Sequence, residues 1–294
     1  MLSLNFIREH PELVLAGARR KGEPVPLDRI LELDRQHRLT LHQEEEQRQL
    51  LNRRSQEVGK LARSGAAELE RERSELGGLK ASIQELQQRR RELQAELDQL
   101  LLLVPNPPHD SVPDGTADEE NVVVRTWGER PRFDFTPLPH HELGERLGIF
   151  DFERAVKVAG TRFALLQGDG ARLERALTSL MLDLARERGY REVSPPYMVN
   201  REAMVGTANL PKFEDEAFHV LEGDRFLIPT AEVPLTNLYA GEILEGERLP
   251  IRLCAWTPCW RSEAGAPGKD THGYIRLHQF SKVELVKLSR PEDS

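Results

Sequence analysis

The sequence predicts an α+β protein, in which a long antiparallel pair of helices precedes a domain built on an antiparallel β-sheet. Between Asp28 and Leu103 there is no proline, and leucines recur at heptad spacing, which is typical of a coiled coil. A proline-rich stretch at 104–109 then ends the helical pattern. Beyond it, short strand-like runs alternate with turn signals and lead to a hairpin pattern over Cys259–Glu284.

The N-terminal segment predicts one short amphipathic helix over about residues 3–21, followed by Gly22. Its apolar side consists of Leu4, Ile7, Leu13, Val14 and Ala18. No basic segment followed by an apolar one opens the chain, and no apolar run is long enough to span a membrane. We therefore expect a protein that is neither exported nor inserted in a membrane.

Two helices of roughly 35 residues each are expected between Asp28 and Leu103, joined by a tight turn at Ser64–Gly65. In the second helix only Glu72 and Arg90 interrupt the apolar seam, which consists of Leu69, Leu76, Leu79, Ile83, Leu86, Leu93, Leu97 and Leu100. The first helix fits less well, because its seam mixes Ile30, Leu33, Leu41, Leu51 and Val58 with His37, Glu44, Arg48 and Ser55. The two helices are expected to pair as an antiparallel hairpin, called the arm below.

The charge of the whole chain says little about its partners. With 41 basic and 49 acidic residues the formal charge is −8, but this average hides local patches. Residues 48–73, around the predicted turn, have seven basic and four acidic side chains. A basic tip on a long arm predicts contact with an RNA backbone, whereas the alternative is a solvated helical face with i,i+4 ion pairs. The basic residues are Arg48, Arg53, Arg54, Lys60, Arg63, Arg71 and Arg73.

Cysteine usage predicts a reducing environment. Cys254 and Cys259 are the only cysteines, and their spacing fits no zinc pattern. We expect a cytoplasmic protein without a structural metal.

Shorter elements are expected between the arm and the hairpin pattern. Strands are predicted at Val122–Arg125, Arg162–Gln167 and Arg225–Pro229, and helices at Ala171–Gly189 and Glu232–Ala240. The apolar stripe of the first of these helices fits a surface helix packed on its own domain, and consists of Leu173, Leu177, Leu180, Met181 and Leu184.

The pattern over Cys259–Glu284 predicts one hairpin with a functional face. Because strand side chains alternate, Arg261 and Glu263 are expected on one face and Ser262 on the other. The glycine-containing loop that follows, 264–273, is not a phosphate-binding P-loop: its first two glycines are too close together, Asp270 stands where Ser or Thr is required, and a strand follows.

The returning strand of this hairpin is also expected to have two unlike faces. The predicted core face consists of Ile275, Leu277, Val283 and Leu285, and the polar face of Arg276, His278, Phe280, Lys282 and Glu284. Arginine suits bidentate contact with phosphate or carboxylate, and Phe280 can stack on a planar base. The polar face therefore predicts a site for an adenine nucleotide and an amino acid.

Three stretches resemble the bacterial-type seryl-tRNA synthetases, which are class II enzymes. Arg261-Ser262-Glu263, the loop, the run Ile275–Phe280 and then Glu284 resemble motif 2 of that family, and Pro229–Val233 resembles its serine-binding segment. The stretch from 105 to about 121 resembles the family's junction between arm and catalytic domain. The resemblance implies a tRNA-binding helical domain at 1–104 with its arm at about 28–103, a linker at 105–121, and part of a class II catalytic core at 122–294.

The activity that the resemblance implies is that of a serine–tRNA ligase. Serine would attack the α-phosphorus of ATP to give seryl-adenylate, and the seryl group would pass to serine tRNA, with selenocysteine tRNA as a further expected acceptor. Arg261 is the implied catalytic residue. Serine binding is implied for Thr230, Ala231, Glu232, Arg261 and Glu284, and ATP binding for Arg261, Ser262, Glu263, Arg276 and Phe280. The seven basic residues of the arm tip are implied to contact the long variable arm of the tRNA.

The resemblance also implies further partners and a longer enzyme. The helix at Ala171–Gly189 and the residues after it resemble motif 1, which implies a homodimer. The family's Mg²⁺ ligands and its motif 3 lie beyond residue 294, so we expect part of a longer enzyme that does not form adenylate alone, with no metal site within it. The alternative is a non-catalytic tRNA-binding fragment or paralogue, whereas a ligase that charges a carrier protein would not need the arm.

Overall fold

The computed structural model describes residues 2–61, 66–115, 117–263 and 273–293, without the side chains of residues 59–61, 66–69 and 118. The turn predicted at Ser64–Gly65 and most of the glycine-containing loop of the hairpin, 264–272, lie outside the described residues. The chain divides into two compact units, Met1–Gly128 and Glu129–Ser294.

The first unit is mainly helical. Its helices are α1 (Leu4–Glu9), α2 (Pro11–Arg20), α3 (Leu27–Leu61) and α4 (Ala66–Leu101). The prediction of a single helix over residues 3–21 is wrong, because the chain leaves the helical conformation at His10, where φ is −134°. Proline disfavours the helical conformation in the residue before it and is well suited to the first position of a helix, so Pro11 ends α1 and starts α2.

The two long helices form the arm. Arg29 of α3 bonds to Glu96 of α4, whereas Arg54, near the other end of α3, bonds to Glu75, so the predicted antiparallel pairing is confirmed. The core of this unit lies at the base of the arm, where α1 and α2 also contribute, and includes Ile7, Val14, Ile30, Leu33, Leu93 and Leu97. Nearer the tip, the predicted seam residues Leu76, Leu79 and Leu86 are only half-buried.

Two polar residues that interrupt the predicted seams meet inside the arm. The side chain of Glu44 is 3% exposed and accepts hydrogen bonds from Arg90 Nε at 2.9 Å and Gln87 Nε2 at 3.1 Å, and Arg48 lies 2.7 Å away. Burial opposes ionisation of Glu44, but the hydrogen bonds from Gln87 and Arg90 and the nearby arginine charges outweigh it, so the pKa of this carboxyl is below its ordinary value. The interruption of both seams is thus one ion-paired layer between the helices.

The second unit combines short helices with short and long strands. Its helices are α5 (His140–Arg146), α6 (Phe152–Ala159), α7 (Asp169–Glu187), α8 (Arg201–Gly206) and α9 (Glu232–Asn237). Its strands are β1 (Arg191–Glu192), β2 (Met198–Asn200), β3 (His219–Val220), β4 (Arg225–Leu227), β5 (Ile251–Trp260) and β6 (Gln279–Leu288).

The strands form two sheets within the described part of the chain, ordered β1-β5-β6 and β2-β4-β3. β5 and β6 pair antiparallel from Ile251↔Leu288 to Trp260↔Gln279, and this hairpin is the larger part of its sheet. β1 pairs parallel with β5, so the sheet is mixed rather than purely antiparallel as predicted. The α+β class, with long helices followed by a sheet domain, is confirmed.

Two predicted strands are wrong. The side chains of Val122 and Val124 are 67% and 95% exposed, and no described strand pairs with this segment, so β-branched residues alone do not make it a strand. The segment at 162–167 makes only an isolated bridge, Phe150↔Leu166, and Arg162 has a φ of +61°, which a strand residue does not adopt.

Candidate active site

The predicted hairpin ends earlier than the sequence pattern indicates. β5 ends at Trp260 and β6 begins at Gln279, so Arg261, Ser262 and Glu263 lie beyond the ladder. Glu263 has a φ of +52°, in the left-handed region. The placement of Arg261 and Glu263 by strand alternation is therefore wrong, and contacts with other segments position them instead.

Ser262 anchors this tripeptide to a turn that comes much earlier in the chain. Its N–H donates to the carbonyl of Glu216 at 2.9 Å, and its hydroxyl donates to the carbonyl of Asp215 at 2.8 Å. These carbonyls belong to a 3₁₀ turn at Glu214–Glu216. The hydroxyl of Ser262 is thus used within the protein, and its contact with ATP stays a prediction.

Arg261 lies at a small pocket. Its guanidinium carbon stands 5.3 Å from the centre of the Phe280 ring, a cation–π contact. Arg261 also lines a cavity of about 270 Å³ with Met204, Asn209, Phe213, Glu216, Ala217 and Pro229. The cavity is small enough to suit an amino acid, and Arg261 places a permanent positive charge beside it.

Two of the residues implied to bind ATP, Glu263 and Arg276, contact each other. Arg276 Nη1 donates to Glu263 Oε2 at 2.7 Å, and the Glu263 side chain is 15% exposed. Each charge balances the other, so binding ATP through either residue requires this pair to open or to act as a unit. The roles of Glu263 and Arg276 stay predictions.

A hydroxyl, a carboxylate and an ammonium meet at Thr230, Glu284 and Lys282. The Thr230 hydroxyl donates to Glu284 Oε2, and Lys282 Nζ donates to Thr230 Oγ1 at 3.0 Å while also pairing with Glu284. Thr230 is 5% exposed, and the Glu284 side chain is 19% exposed. Such partly buried acceptors can bind the ammonium and hydroxyl of a small amino acid.

The other residues of the predicted serine segment lie beside this cluster. Ala231 is buried, whereas Glu232 is exposed and begins α9. The main-chain N–H of Glu232 donates to Thr230 Oγ1 at 3.3 Å, so Thr230 helps to cap the helix, although the N-cap position itself is Ala231. Contact of Ala231 and Glu232 with serine stays a prediction.

Lys282 is a residue of this cluster to which the sequence analysis gave no role. The signal was present, because Phe280, Lys282 and Glu284 alternate along β6 and therefore share one face. The opposite face is less of a core than predicted: Leu277 is buried, but Ile275 is 66% exposed and Leu285 47%. Residues 273–278 form turns rather than a strand, which removes Ile275 from the expected face.

The basic tip of the arm is partly neutralised by the arm itself. Arg48 pairs with Glu44, Arg71 lies 3.7 Å from Glu75, and Arg54 contacts both Glu75 and Glu72. Glu72 is the second residue that interrupts the seam of α4, and it too has a partner on α3. These pairs match the alternative of a helical face with intra-arm ion pairs.

Arg53 and Arg73 differ from these paired arginines. Both are exposed, and neither has an ion pair within 4.0 Å among the described residues. The side chain of Lys60 and the whole of Arg63 lie outside the described residues. Contact of any of the seven basic residues with tRNA stays a prediction.

The part of the chain that the structure describes contains no group of three or more His, Cys, Asp or Glu side chains that could hold a metal ion. Cys254 and Cys259 are free thiols, and burial raises the pKa of both. None of the described helices is both long and apolar enough to span a membrane.

Two family models match the chain. Residues 1–108 match the seryl-tRNA synthetase N-terminal domain, and residues 213–294 match the tRNA synthetase class II core domain of the glycine, histidine, proline, serine and threonine enzymes. The first match covers most of the arm unit, and the second includes Thr230, Arg261 and Glu284.

Individual proteins agree with these models over the whole chain. The serine–tRNA ligase of Desulfitobacterium hafniense is 49% identical and that of Citrifermentans bemidjiense 51%, with 100% of this chain covered and 70% and 69% of theirs. A solved structure of seryl-tRNA synthetase from Pyrococcus horikoshii, complexed with ATP, matches with a TM-score of 0.90 and 37% identity over 100% of this chain and 71% of its own. The chain therefore belongs to the seryl-tRNA synthetase family.

Proposed function

We propose that this protein activates serine with ATP and transfers the seryl group to serine tRNA, with selenocysteine tRNA as a second acceptor. The observation that best supports serine as the substrate is the cluster of Thr230, Glu284 and Lys282, in which Lys282 and Glu284 share one face of β6 with Phe280. A hydroxyl and a carboxylate that already bond to each other can exchange partners with the hydroxyl and ammonium of serine.

The proposed chemistry needs no nucleophile from the protein, because the serine carboxylate itself attacks the α-phosphorus and pyrophosphate leaves. Arg261 would stabilise the negative charge shared by that carboxylate and the α-phosphate, and its contact with Phe280 holds the guanidinium in place. Phe280 would support the adenine, and Glu284 with Thr230 would hold the amino acid. Catalysis would thus consist of positioning and charge stabilisation.

ATP is a substrate in this proposal, and Mg²⁺ would accompany its phosphates. The structure of the Pyrococcus horikoshii relative, which is complexed with ATP, supports the nucleotide. Among the described residues there is no group of three or more His, Cys, Asp or Glu side chains that could hold a metal ion. No step proposed for Arg261, Thr230 or Glu284 depends on it.

We also propose that the domains follow the predicted division at 1–104, 105–121 and 122–294. The protein is further proposed to act in the cytoplasm.

We propose that α7 joins two copies of the protein in a homodimer. The predicted apolar stripe of α7 is 42–57% exposed at Leu173, Leu177, Leu180, Met181 and Leu184. An apolar helix face of this kind is stabilised when a second copy covers it. Sedimentation should give a dimer, and Leu180→Glu should give a monomer; a monomer before substitution would contradict the proposal.

The function is tested by ATP–pyrophosphate exchange with the protein at the length of its relatives, called the full-length protein below, because this chain spans about 70% of their length. Exchange should depend on serine and be much weaker with alanine or threonine, and serine tRNA should be charged only when its long variable arm is present. Folded protein without serine-dependent exchange would contradict the activity. If that protein still bound serine tRNA, the non-catalytic tRNA-binding alternative would replace it.

A further inference from the structure

The hydrogen-bond ladder of β5 and β6 breaks at the pair that follows its last residues. The register Trp260↔Gln279 would next pair Arg261 with His278. In an antiparallel pair of this type the two residues exchange two N–H···O=C bonds. Only one is formed: Arg261 N–H donates to the His278 carbonyl at 2.9 Å, whereas His278 N–H donates to the carbonyl of Arg162 at 2.8 Å.

The imidazole of His278 replaces the missing main-chain bond. Its Nδ1 lies 3.0 Å from the Arg261 carbonyl oxygen, and because that oxygen can only accept, Nδ1 carries the hydrogen. The imidazole ring contacts two aromatic side chains, with its centroid 5.5 Å from that of Phe163 and 5.8 Å from that of Phe218. These contacts restrict the ring, so Nδ1 has one direction in which to donate.

Arg162, whose carbonyl oxygen accepts the N–H of His278, also bonds to Glu263, the last residue of the tripeptide Arg261-Ser262-Glu263. Its Nη1 donates to the carbonyl of Glu263 at 3.1 Å, and its φ of +61° turns the main chain so that its own carbonyl meets His278. With Ser262 bonded to the 3₁₀ turn, each residue from Arg261 to Glu263 is held through a main-chain group by a different segment. The Arg261 side chain is left free of these bonds.

We propose that His278 is a positioning residue of the activation reaction, which fixes the direction of the Arg261 guanidinium by holding the Arg261 carbonyl with its imidazole. This inference rests on the proposed function only in its kinetic part. His278 touches neither substrate in this account and acts through Arg261, so it differs from Phe280 and Glu284, which lie in β6, the strand that begins directly after it.

The first test is hydrogen exchange of the full-length protein over residues 260–263, which does not require activity. The variants are His278→Ala, His278→Asn and His278→Gln, because the Asn amide nitrogen lies close to the position of Nδ1 whereas that of Gln reaches farther. Exchange should accelerate about tenfold or more in the Ala and Gln variants and stay near the original rate in the Asn variant. Equal rates for Asn and Gln would overturn the proposal.

The second test is the kinetics of serine-dependent pyrophosphate exchange. His278→Ala and His278→Gln should lower kcat about tenfold or more with a much smaller change in KM for ATP, and His278→Asn should restore most of kcat. In an Arg261→Ala background, His278→Ala should add little, because its effect passes through Arg261. The proposal would be overturned if His278→Ala lowered kcat by the same factor in the Arg261→Ala background as in the unsubstituted protein. An unchanged kcat for His278→Ala alone would also overturn it.

Folding is checked by thermal unfolding of each variant. If His278→Ala does not fold, the Asn and Gln variants, which are both polar and close in size, decide the outcome by themselves. If the unsubstituted protein shows no serine-dependent exchange, the proposed function fails, while hydrogen exchange still decides whether His278 holds Arg261.

Discussion

The arm and the candidate active site bring charged residues together in opposite ways. In the arm, the residues that contact each other lie on two paired helices and recur at heptad spacing. The ion pair of Glu44 with Arg90 occupies such a position, as do the apolar contacts of Leu33. In the site, Arg261 is bonded to His278 and its neighbour Ser262 to the 3₁₀ turn at Glu214–Glu216, and neither of these segments shares a sequence repeat with them. The difference teaches that the spacing of residues along two helices places the arm's contacts once their register is set, whereas main-chain bonds between segments distant in the sequence place Arg261 and Ser262.

The largest effect is expected at Arg261, whose guanidinium lies at a pocket and forms no ion pair with any residue that the structure describes. Arg261→Ala should lower serine-dependent exchange about 10²–10³-fold, since removal of a group that stabilises developing charge costs about 3–4 kcal/mol. Arg130→Ala, a change at an exposed arginine outside the site, is the control and should leave the rate unchanged. A loss below about tenfold for Arg261→Ala would show that this site, like the arm, shares its charge among several residues.

The next largest effect is expected in the ion-paired layer of the arm. Arg90→Leu should destabilise α3 and α4 by about 2–3 kcal/mol, because Glu44 stays buried with a weaker set of partners. The double variant Glu44→Leu with Arg90→Leu should regain most of this loss, since no charge is then buried. Hydrogen exchange of the two helices measures both effects.

Arg89→Leu, at a mostly exposed neighbouring position, is the matched control and should change stability by less than about 0.5 kcal/mol. If Arg89→Leu and Arg90→Leu cost the same, the buried layer would contribute no more than the surface of the helix. The arm would then not depend on its buried ion pairs, and the difference between the arm and the site in how they use charged residues would be smaller.

Acidification should affect the arm through the same layer. The pKa of Glu44 is lowered in the folded protein from the ordinary 4.5, so the stability it contributes is complete above that pH and is lost as the pH falls through the lower folded value. Helix stability of the arm should therefore decline below about pH 4.5. Glu44→Gln should decline less steeply over the same range, and an identical pH profile would contradict the role of Glu44.

The smallest effects separate the paired from the unpaired arginines at the arm tip. If Arg53 and Arg73 each contact one tRNA phosphate as predicted, Arg53→Gln and Arg73→Gln should each lower the salt dependence of tRNA binding by about one unit of slope. Arg54→Gln should leave the slope nearly unchanged and instead destabilise the arm, since Arg54 is bonded to Glu75. Equal slopes for all three variants would contradict the distinction.

The two helices of the arm and their antiparallel pairing could be predicted from the sequence, because apolar residues at heptad positions, such as Leu33 and Leu97, form the buried core at its base. Its polar interruptions at Glu44, Arg90 and Glu72 were visible as exceptions, but their pairing with α3 or α4 partners depends on the relative register of the helices, which a single helix pattern does not contain. The break at His10 was also encoded, in Pro11, although the apolar stripe that predicts one helix continues across it.

The residues of the site could be predicted in part, and their arrangement less so. Alternation along β6 correctly groups Phe280, Lys282 and Glu284, because that strand is regular. It fails at Glu263, where a positive φ ends the alternation, and it cannot show that Ser262 bonds to a turn far earlier in the chain. Such bonds use main-chain carbonyls, which every residue has, so no residue type identifies them.

The most direct test of the central claim, that Thr230 and Glu284 select serine, is calorimetry with two sulfamoyl-adenosine analogues of the adenylate. One contains a seryl group and the other an alanyl group, so they differ only in the hydroxyl. We predict that the seryl analogue binds about 10–100-fold more tightly, because the alanyl analogue leaves a polar group of the site without its hydrogen-bond partner. Thr230→Val should remove most of this difference. Equal affinity of the unsubstituted protein for both analogues would contradict the claim.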